Sequence, residues 1–179
     1  MPITAMDIAT ARLMLVSTYR VVEKHLEWLN DKELMKWSEQ RYRTHTIATQ
    51  RDFLDQAMAT GNPLVWDIRF TATTPARPGQ SIGSLHAYCD ERHSRVDLGI
   101  MLGPHYHGDG YAAEAWSAVC NYLATKHGMR KFEAGFVDGN LPILKMLIRL
   151  GWRSECRRED HFIIDGESRA LVMFGTVYR

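Results

Sequence analysis

Between Arg95 and Lys126 the hydrophobic period changes from two to about 3.6 across a pair of glycines, and this feature constrains the fold most tightly. Arg95 to Leu102 (RVDLGIML) is a β-rich run that stops at Gly103 and Pro104. Tyr111 to Lys126 then places apolar side chains at 112, 115, 116, 119, 122 and 123, a single helical stripe. Gly108 and Gly110 lie between the two. Glycines just before a helix expose backbone N–H groups at the positive end of the helix dipole, and their missing side chains let a phosphate reach the main chain. The small residues Ala112, Ala113 and Ala115 let the helix sit closely on a sheet. The unit predicts a strand, a phosphate-accepting loop and a packed helix.

The remaining segments extend this to a mixed α+β chain. Arg12 to Ser17 reads as a first strand and Val21 to Leu29 as a helix. Asp31 to Trp37 reads as a second short helix behind an acidic cap, and Thr46 to Ala59 as a third, with Phe53, Leu54 and Ala57 on one face. Leu64 to Phe70 and Ser81 to Cys89 are strands, and the short gap Asp90 to Ser94 makes an antiparallel hairpin with Arg95 to Leu102. Lys131 to Val137 is a strand, and Leu141 to Leu150 a helix stopped by Gly151. Trp152 to Ile164 and Glu167 to Tyr178 form two strands around Asp165 and Gly166. Thr71 to Gln80, with Pro75, Pro78 and Gly79, reads as a hairpin loop too short to divide domains, so residues 1–179 are expected to form one domain.

Charge and cysteine content narrow the function classes. Twenty-two Lys plus Arg against 21 Asp plus Glu leave a net charge of +1, so no global field favours nucleic acid or an anionic membrane. Cys89, Cys120 and Cys156 are far apart and form no CxxC pair, which fits reduced thiols in the cytoplasm. The first ten residues lack the pattern of a secretory signal, and no apolar run reaches the roughly 18 residues of a membrane span. His105 and His107 have no HExxH and no cysteine partner at ligand spacing, so no metal site is expected.

Two phosphate-binding architectures compete for the glycine loop. Gly108 to Ala113 formally matches G-x-G-x-x-A, with Glu133 about twenty residues on, as a dinucleotide fold requires. Gly103 to His107 separates that match from its strand, and an antiparallel hairpin follows where further βαβ units would be needed. The order of motifs instead resembles the GNAT superfamily of acyl-CoA-dependent N-acetyltransferases, in the branch of the ribosomal-protein N-terminal acetyltransferases. Leu98-Gly99-Ile100-Met101-Leu102, Pro104, Tyr106 and Gly108-Asp109-Gly110-Tyr111-Ala112-Ala113-Glu114-Ala115 match one family motif in order. Asn140 to Trp152 is similar to a second, "N-x-P-S-x-x-L-x-x-x-L-G-F", and Arg12-Leu-Met-Leu15 with Trp28 to Asp31 resembles the family opening.

The resemblance implies a mostly antiparallel central sheet in which strands 95–102 and 131–137 run parallel and splay apart. It also implies acetyl-CoA as co-substrate, its pantetheine arm on the backbone of Ile100, Met101 and Leu102 and its pyrophosphate on the N–H groups of His105, Tyr106, His107, Gly108, Asp109, Gly110 and Tyr111. Asn140 is expected to cap its helix, bond a coenzyme amide, or both; Lys145 or Arg149 could reach the 3′-phosphate. Asp109 replaces a common lysine and is expected to face solvent. Ile143 and Leu147 stand where relatives carry Ser and a general-acid Tyr, which opens a rival reading as a non-catalytic acyl-CoA-binding module.

Acetyl transfer to an amine needs a neutral nitrogen and a polarised thioester carbonyl. Asp97, on the coenzyme strand, is the candidate base, with His86 and Asp90 as alternatives. The loop Trp37 to Thr46 falls where the family binds its acceptor; Trp37, Arg41, Tyr42 and Arg43 form a cationic and aromatic set suited to an anionic group. That set favours a small anionic amine such as a nucleotide-linked amino sugar, whereas branch resemblance favours a protein N-terminus. A homodimer is compatible with the sequence.

Overall fold

In the computed structural model, which describes residues 3–71 and 77–178, eight strands form a single sheet in the order β1-β2-β3-β4-β5-β6-β8-β7. The elements are β1 (Ile8–Ala9), β2 (Leu13–Ser17), α1 (Glu23–Leu29), α2 (Ile47–Thr60), β3 (Leu64–Phe70), β4 (Ser81–Asp90), β5 (Arg95–Leu102), α3 (Tyr111–His127), β6 (Lys131–Val137), α4 (Leu141–Arg149), β7 (Arg153–Ile164) and β8 (Glu167–Val177). Every neighbouring pair is antiparallel except β5 and β6.

Alternation along the strands divides the sheet into two faces. Leu13, Leu15, Trp66, Leu85, Val96, Leu98, Phe132 and Phe174 point to one side, where Trp116, Val119, Cys120 and Leu123 of α3 and Leu147 of α4 complete the main core. On the other side Leu54 and Ala57 of α2 cover Val65. Glycines end both long-looped helices, α2 at Gly61 and α3 at Gly128, each in a left-handed conformation open to residues without a Cβ.

The structure differs from the sequence reading at three places. The helix expected over Asp31 to Trp37 is a series of turns, because the Asp31 carboxylate accepts the N–H groups of Glu33 and Leu34 and draws the chain into a tight bend. A short 3-10 turn, Glu39–Tyr42, lies in the loop that follows. The strand Ile8–Ala9 was not foreseen; two residues carry too little periodicity to show. Of the hairpin loop Thr71 to Gln80, residues 72–76 lie outside the described residues, and the flanks close on each other through Phe70 N–H to Gln80 O at 3.0 Å.

Candidate active site

The parallel pair β5 and β6 is bonded only through Arg95, Val96 and Asp97 against Lys131, Phe132 and Glu133. Beyond that rung the strands separate, while β5 remains fully paired with β4 to Leu102 and β6 with β8 to Val137. The residues 98–102 therefore present a free backbone edge toward β6, a place for an extended ligand to hydrogen-bond as an added strand. Ile100, Met101 and Leu102, the residues expected to hold the pantetheine arm, lie on that edge.

A groove of about 400 Å³ opens above the gap, lined by Trp37, Ser38, Glu39, Gln40, Tyr88, Asp97, Gly99, Gly135, Phe136 and Phe162 among others. Asp97 sits at its head: Tyr88 is its cross-strand partner on β4 and Glu133 its partner on β6. Desolvation in the groove, and then the neighbouring Glu133 carboxylate, push the Asp97 carboxyl above its ordinary range against the opposing pull of Arg95 and the Leu98 N–H. Gly99 leaves the floor open, since a Cβ there would meet nothing within 4 Å.

The glycine loop expected to hold the pyrophosphate lies at the end of β5. Gly108 and Gly110 have φ of +94° and +82°, conformations that favour glycine, and Gly110 directly precedes α3. The N–H groups of Gly108, Asp109 and Gly110 have no acceptor among the described residues. Asp109 is exposed, and so is His105. Tyr106 is not a phosphate donor: its N–H bonds Gly103 O at 3.0 Å, and its buried ring packs edge-on against Trp28 and Phe70. His107 is exposed, and its ring Nε2 donates to Leu102 O at 3.0 Å, which ties the loop back to the end of β5.

Asn140 precedes α4 without a side-chain capping bond, so the helix leaves its amide available. Lys145 is exposed, while Leu147 is fully buried in the main core and Ile143 is packed against it; neither position offers a hydroxyl. His86 is packed under Phe53 of α2, ring centroids 5.5 Å apart, and burial followed by the charge of His25 lowers its pKa to about 4. His86 is not among the residues that line the groove. Asp90 is paired with Arg95. Ser81, His25 and Asp67 meet on the same face, but Ser81 Oγ and Asp67 Oδ1 both lie 3.1 Å from one imidazole nitrogen, Nε2 of His25. A nucleophilic relay needs the two ring nitrogens separately engaged.

The acceptor loop is used differently from the sequence expectation. Trp37 lines the groove and packs against Gly139, where a Cβ would come within 2.8 Å of the indole. Arg41 donates to Lys36 O at 3.0 Å and to Asp165 Oδ1 at 2.6 Å, and Tyr42 OH donates to Ile163 O at 2.7 Å. These two side chains fasten the loop to the β7–β8 hairpin. Arg43 is exposed. The signal missed in the sequence was Glu39 and Tyr88, which stand on unrelated segments and meet only across the groove.

A free-edged strand beside a splayed parallel partner, leading into a glycine loop at a helix start, is the architecture of the acyl-CoA-dependent N-acetyltransferases. The chain belongs to that class through the acetyltransferase (GNAT) domain family, whose model matches residues 12–153. The [ribosomal protein uS5]-alanine N-acetyltransferase of Escherichia coli (strain K12) is 29% identical over 76 residues, 42% of this chain and 39% of the relative; the match thus spans about two fifths of that protein. Two solved structures share the fold: spermidine N-acetyltransferase from Vibrio cholerae in complex with CoA and spermine (TM-score 0.79, 13% identity, 94% of this chain and 96% of that one), and a GNAT-family acetyltransferase from Bacillus anthracis (0.75, 18%, 96% and 98%). No helix among the described residues is long and apolar enough to cross a membrane, and no cluster of three or more His, Cys, Asp or Glu is placed to hold a metal ion.

Proposed function

We propose that the protein transfers acetyl from acetyl-CoA to a primary amine by direct attack, with Asp97 as general base. The observation that carries this is the Asp97 carboxylate at the last paired rung before β5 and β6 part, facing the groove. An ammonium must lose a proton before its nitrogen can attack the thioester carbon, and a carboxyl with a raised pKa takes that proton more readily than an ordinary aspartate. The new N–C bond forms as the carbonyl oxygen gains charge, and collapse breaks the C–S bond. With Ile143 and Leu147 lacking hydroxyls, the departing thiolate takes its proton from the positively charged nitrogen of the tetrahedral intermediate, or from water. The coenzyme is held mainly by backbone, the free edge of 98–102 and the N–H groups of 108–110, with the Asn140 side-chain amide beside them.

The groove favours an amine arriving as a cation. Glu39 and Asp97 supply carboxylates between aromatic walls, and no basic side chain is among its described lining residues. Arg41, which an anionic acceptor would need, is engaged with Asp165. A peptide N-terminus fits this chemistry, and the name of the uS5-alanine relative supports it.

Asp97→Asn should lower kcat by a factor on the order of 10² to 10⁴ and leave the acetyl-CoA Kd unchanged. In the wild type, kcat/KM should rise with pH as Asp97 deprotonates, above the usual carboxylate range, and the variant should lack that step. Unchanged turnover by folded Asp97→Asn excludes the base. Coenzyme binding with no thiol release on any amine returns the non-catalytic module, and preference for a nucleotide-linked amino sugar over an alanyl peptide defeats the acceptor assignment.

A further inference from the structure

The family opening at Arg12 and the acidic residue Glu114 in the glycine motif meet in the folded chain, although the proposed chemistry uses neither. Arg12 binds Glu114 twice, through its backbone N–H to Oε1 at 2.9 Å and through Nε to Oε2 at 2.7 Å. Its Nη1 donates to the carbonyl oxygen of Asp109 at 3.0 Å, inside the Gly108–Gly110 loop. The guanidinium carbon lies 4.5 Å from the centroid of the Tyr111 ring, the first residue of α3. Thr10 Oγ1 completes the arrangement with a 2.6 Å bond to Glu114 Oε1. One guanidinium thus spans the loop, the first residue of α3 and a carboxylate in its first turn, and it does so from the bend just before β2, 102 residues earlier in the chain than Glu114.

This arrangement answers a physical problem. A loop with glycines at φ of +94° and +82° has the freedom to point its N–H groups at a pyrophosphate and equal freedom to point them elsewhere. A bound carbonyl at Asp109 orients the adjoining peptide planes before any ligand arrives, and preorganised donors bind more tightly than donors ordered on binding. The carboxylate of Glu114 is itself unfavourable near a pyrophosphate, and its hydrogen bonds to Thr10 and Arg12 outweigh its partial burial to hold its pKa below the usual range, so it remains charged. A negative side chain at this place is explained if its work is to aim Arg12.

We infer that Arg12, held by Glu114 and Thr10, is a positioning residue for coenzyme binding: it fixes the Gly108–Gly110 loop with its N–H groups turned toward the coenzyme pyrophosphate. The inference rests on the loop being the pyrophosphate site, and Gly110→Val serves as the separate control for that premise, since a β-branched residue at φ +82° disrupts the loop directly.

The measurements are the Kd for CoA by calorimetry and the ratio of kcat/KM for acetyl-CoA to that for S-acetylpantetheine, which lacks the pyrophosphate. Arg12→Gln should raise the CoA Kd about tenfold and lower the ratio by a similar factor. General loss of fold would lower both rates and leave the ratio in place. Arg12→Lys should behave like Arg12→Gln, because an ammonium keeps the charge and loses the span between Glu114 and Asp109. Glu114→Gln gives the sharpest sign: removal of an anion near a pyrophosphate should tighten binding by electrostatics alone, whereas loss of the clamp should weaken it about tenfold. Rescue by lysine, or tighter binding in Glu114→Gln, overturns the inference. If Gly110→Val also binds CoA normally, the phosphate site itself is misplaced; if Gly110→Val fails and Arg12→Gln binds normally, only the positioning role falls.

Discussion

His86 and Asp97 show how two titratable residues on the same face of one sheet acquire different chemistry from their surroundings. Both are on neighbouring strands, β4 and β5, and His86 opposes Gly99 two residues beyond Asp97. Partial desolvation between the groove walls, and then the Glu133 carboxylate, raise the Asp97 pKa; His86 lies beneath Phe53, and burial lowers its pKa to about 4. For stability the His86 sign is clear. The folded chain holds the ring neutral, so protonation of the unfolded chain below the ordinary value of 6.5 favours unfolding, and stability should decline from that pH to about 4. His86→Phe keeps an aromatic ring against Phe53 and removes the titration. Its urea midpoint should therefore change less with pH across that window than the wild-type midpoint. An equal decline in both proteins would place the acid sensitivity elsewhere.

The elements proposed to hold the coenzyme are ones whose hydrogen bonding is incomplete. β5 is satisfied on its β4 side and open toward β6 from residue 98 onward, and α4 begins without a side-chain cap. Asn140→Ala therefore should leave the melting temperature nearly unchanged, whereas loss of a true N-cap costs about 1 kcal/mol. The same variant should weaken CoA binding several-fold; a clear drop in melting temperature with normal CoA binding would restore the capping role. Gly99 tests the other side of the gap. Gly99→Val places a side chain into open space on the groove floor and should raise acceptor KM at least tenfold without unfolding the protein. An unchanged KM would show that the amine enters elsewhere. At the sheet edge, β7 carries charged side chains at half of its 12 residues and departs from regular pairing with β8 at two places, features that discourage strand addition by another chain.

Across the whole molecule, the groove depends on contacts between segments distant in sequence. The loop around Trp37 reaches its place because Arg41 and Tyr42 hold the tip of the β7–β8 hairpin, at Asp165 and Ile163. If that tether shapes the groove wall, Arg41→Gln and Asp165→Asn should each raise acceptor KM a few-fold, and the double variant should match the larger single effect. If Arg41 instead binds an anionic acceptor, freeing it by Asp165→Asn should lower KM, and salt should weaken the effect of Arg41→Gln. Steady-state kinetics at two ionic strengths separates these outcomes.

The element order, the antiparallel hairpins and the strand–glycine–helix unit follow from period, turn residues and helix stops in the sequence, because these are local consequences of backbone sterics and of burying one face. The conformation of the glycine loop was legible for the same reason: glycine at positive φ before a helix is a local device, and Gly108 and Gly110 carry it wherever the sheet lies. The partners of the long side chains were decided only by the tertiary structure. Tyr106 and His107, read as part of the phosphate loop, turn into the core and onto Leu102; Arg41 and Tyr42, read as an acceptor set, bind the hairpin; Arg12, read only as part of an opening motif, grips the loop. A side chain that spans several ångströms finds its partner among residues about 100 positions away, as Arg12 does with Glu114, and no local pattern records which of them the sheet brings within 3 Å.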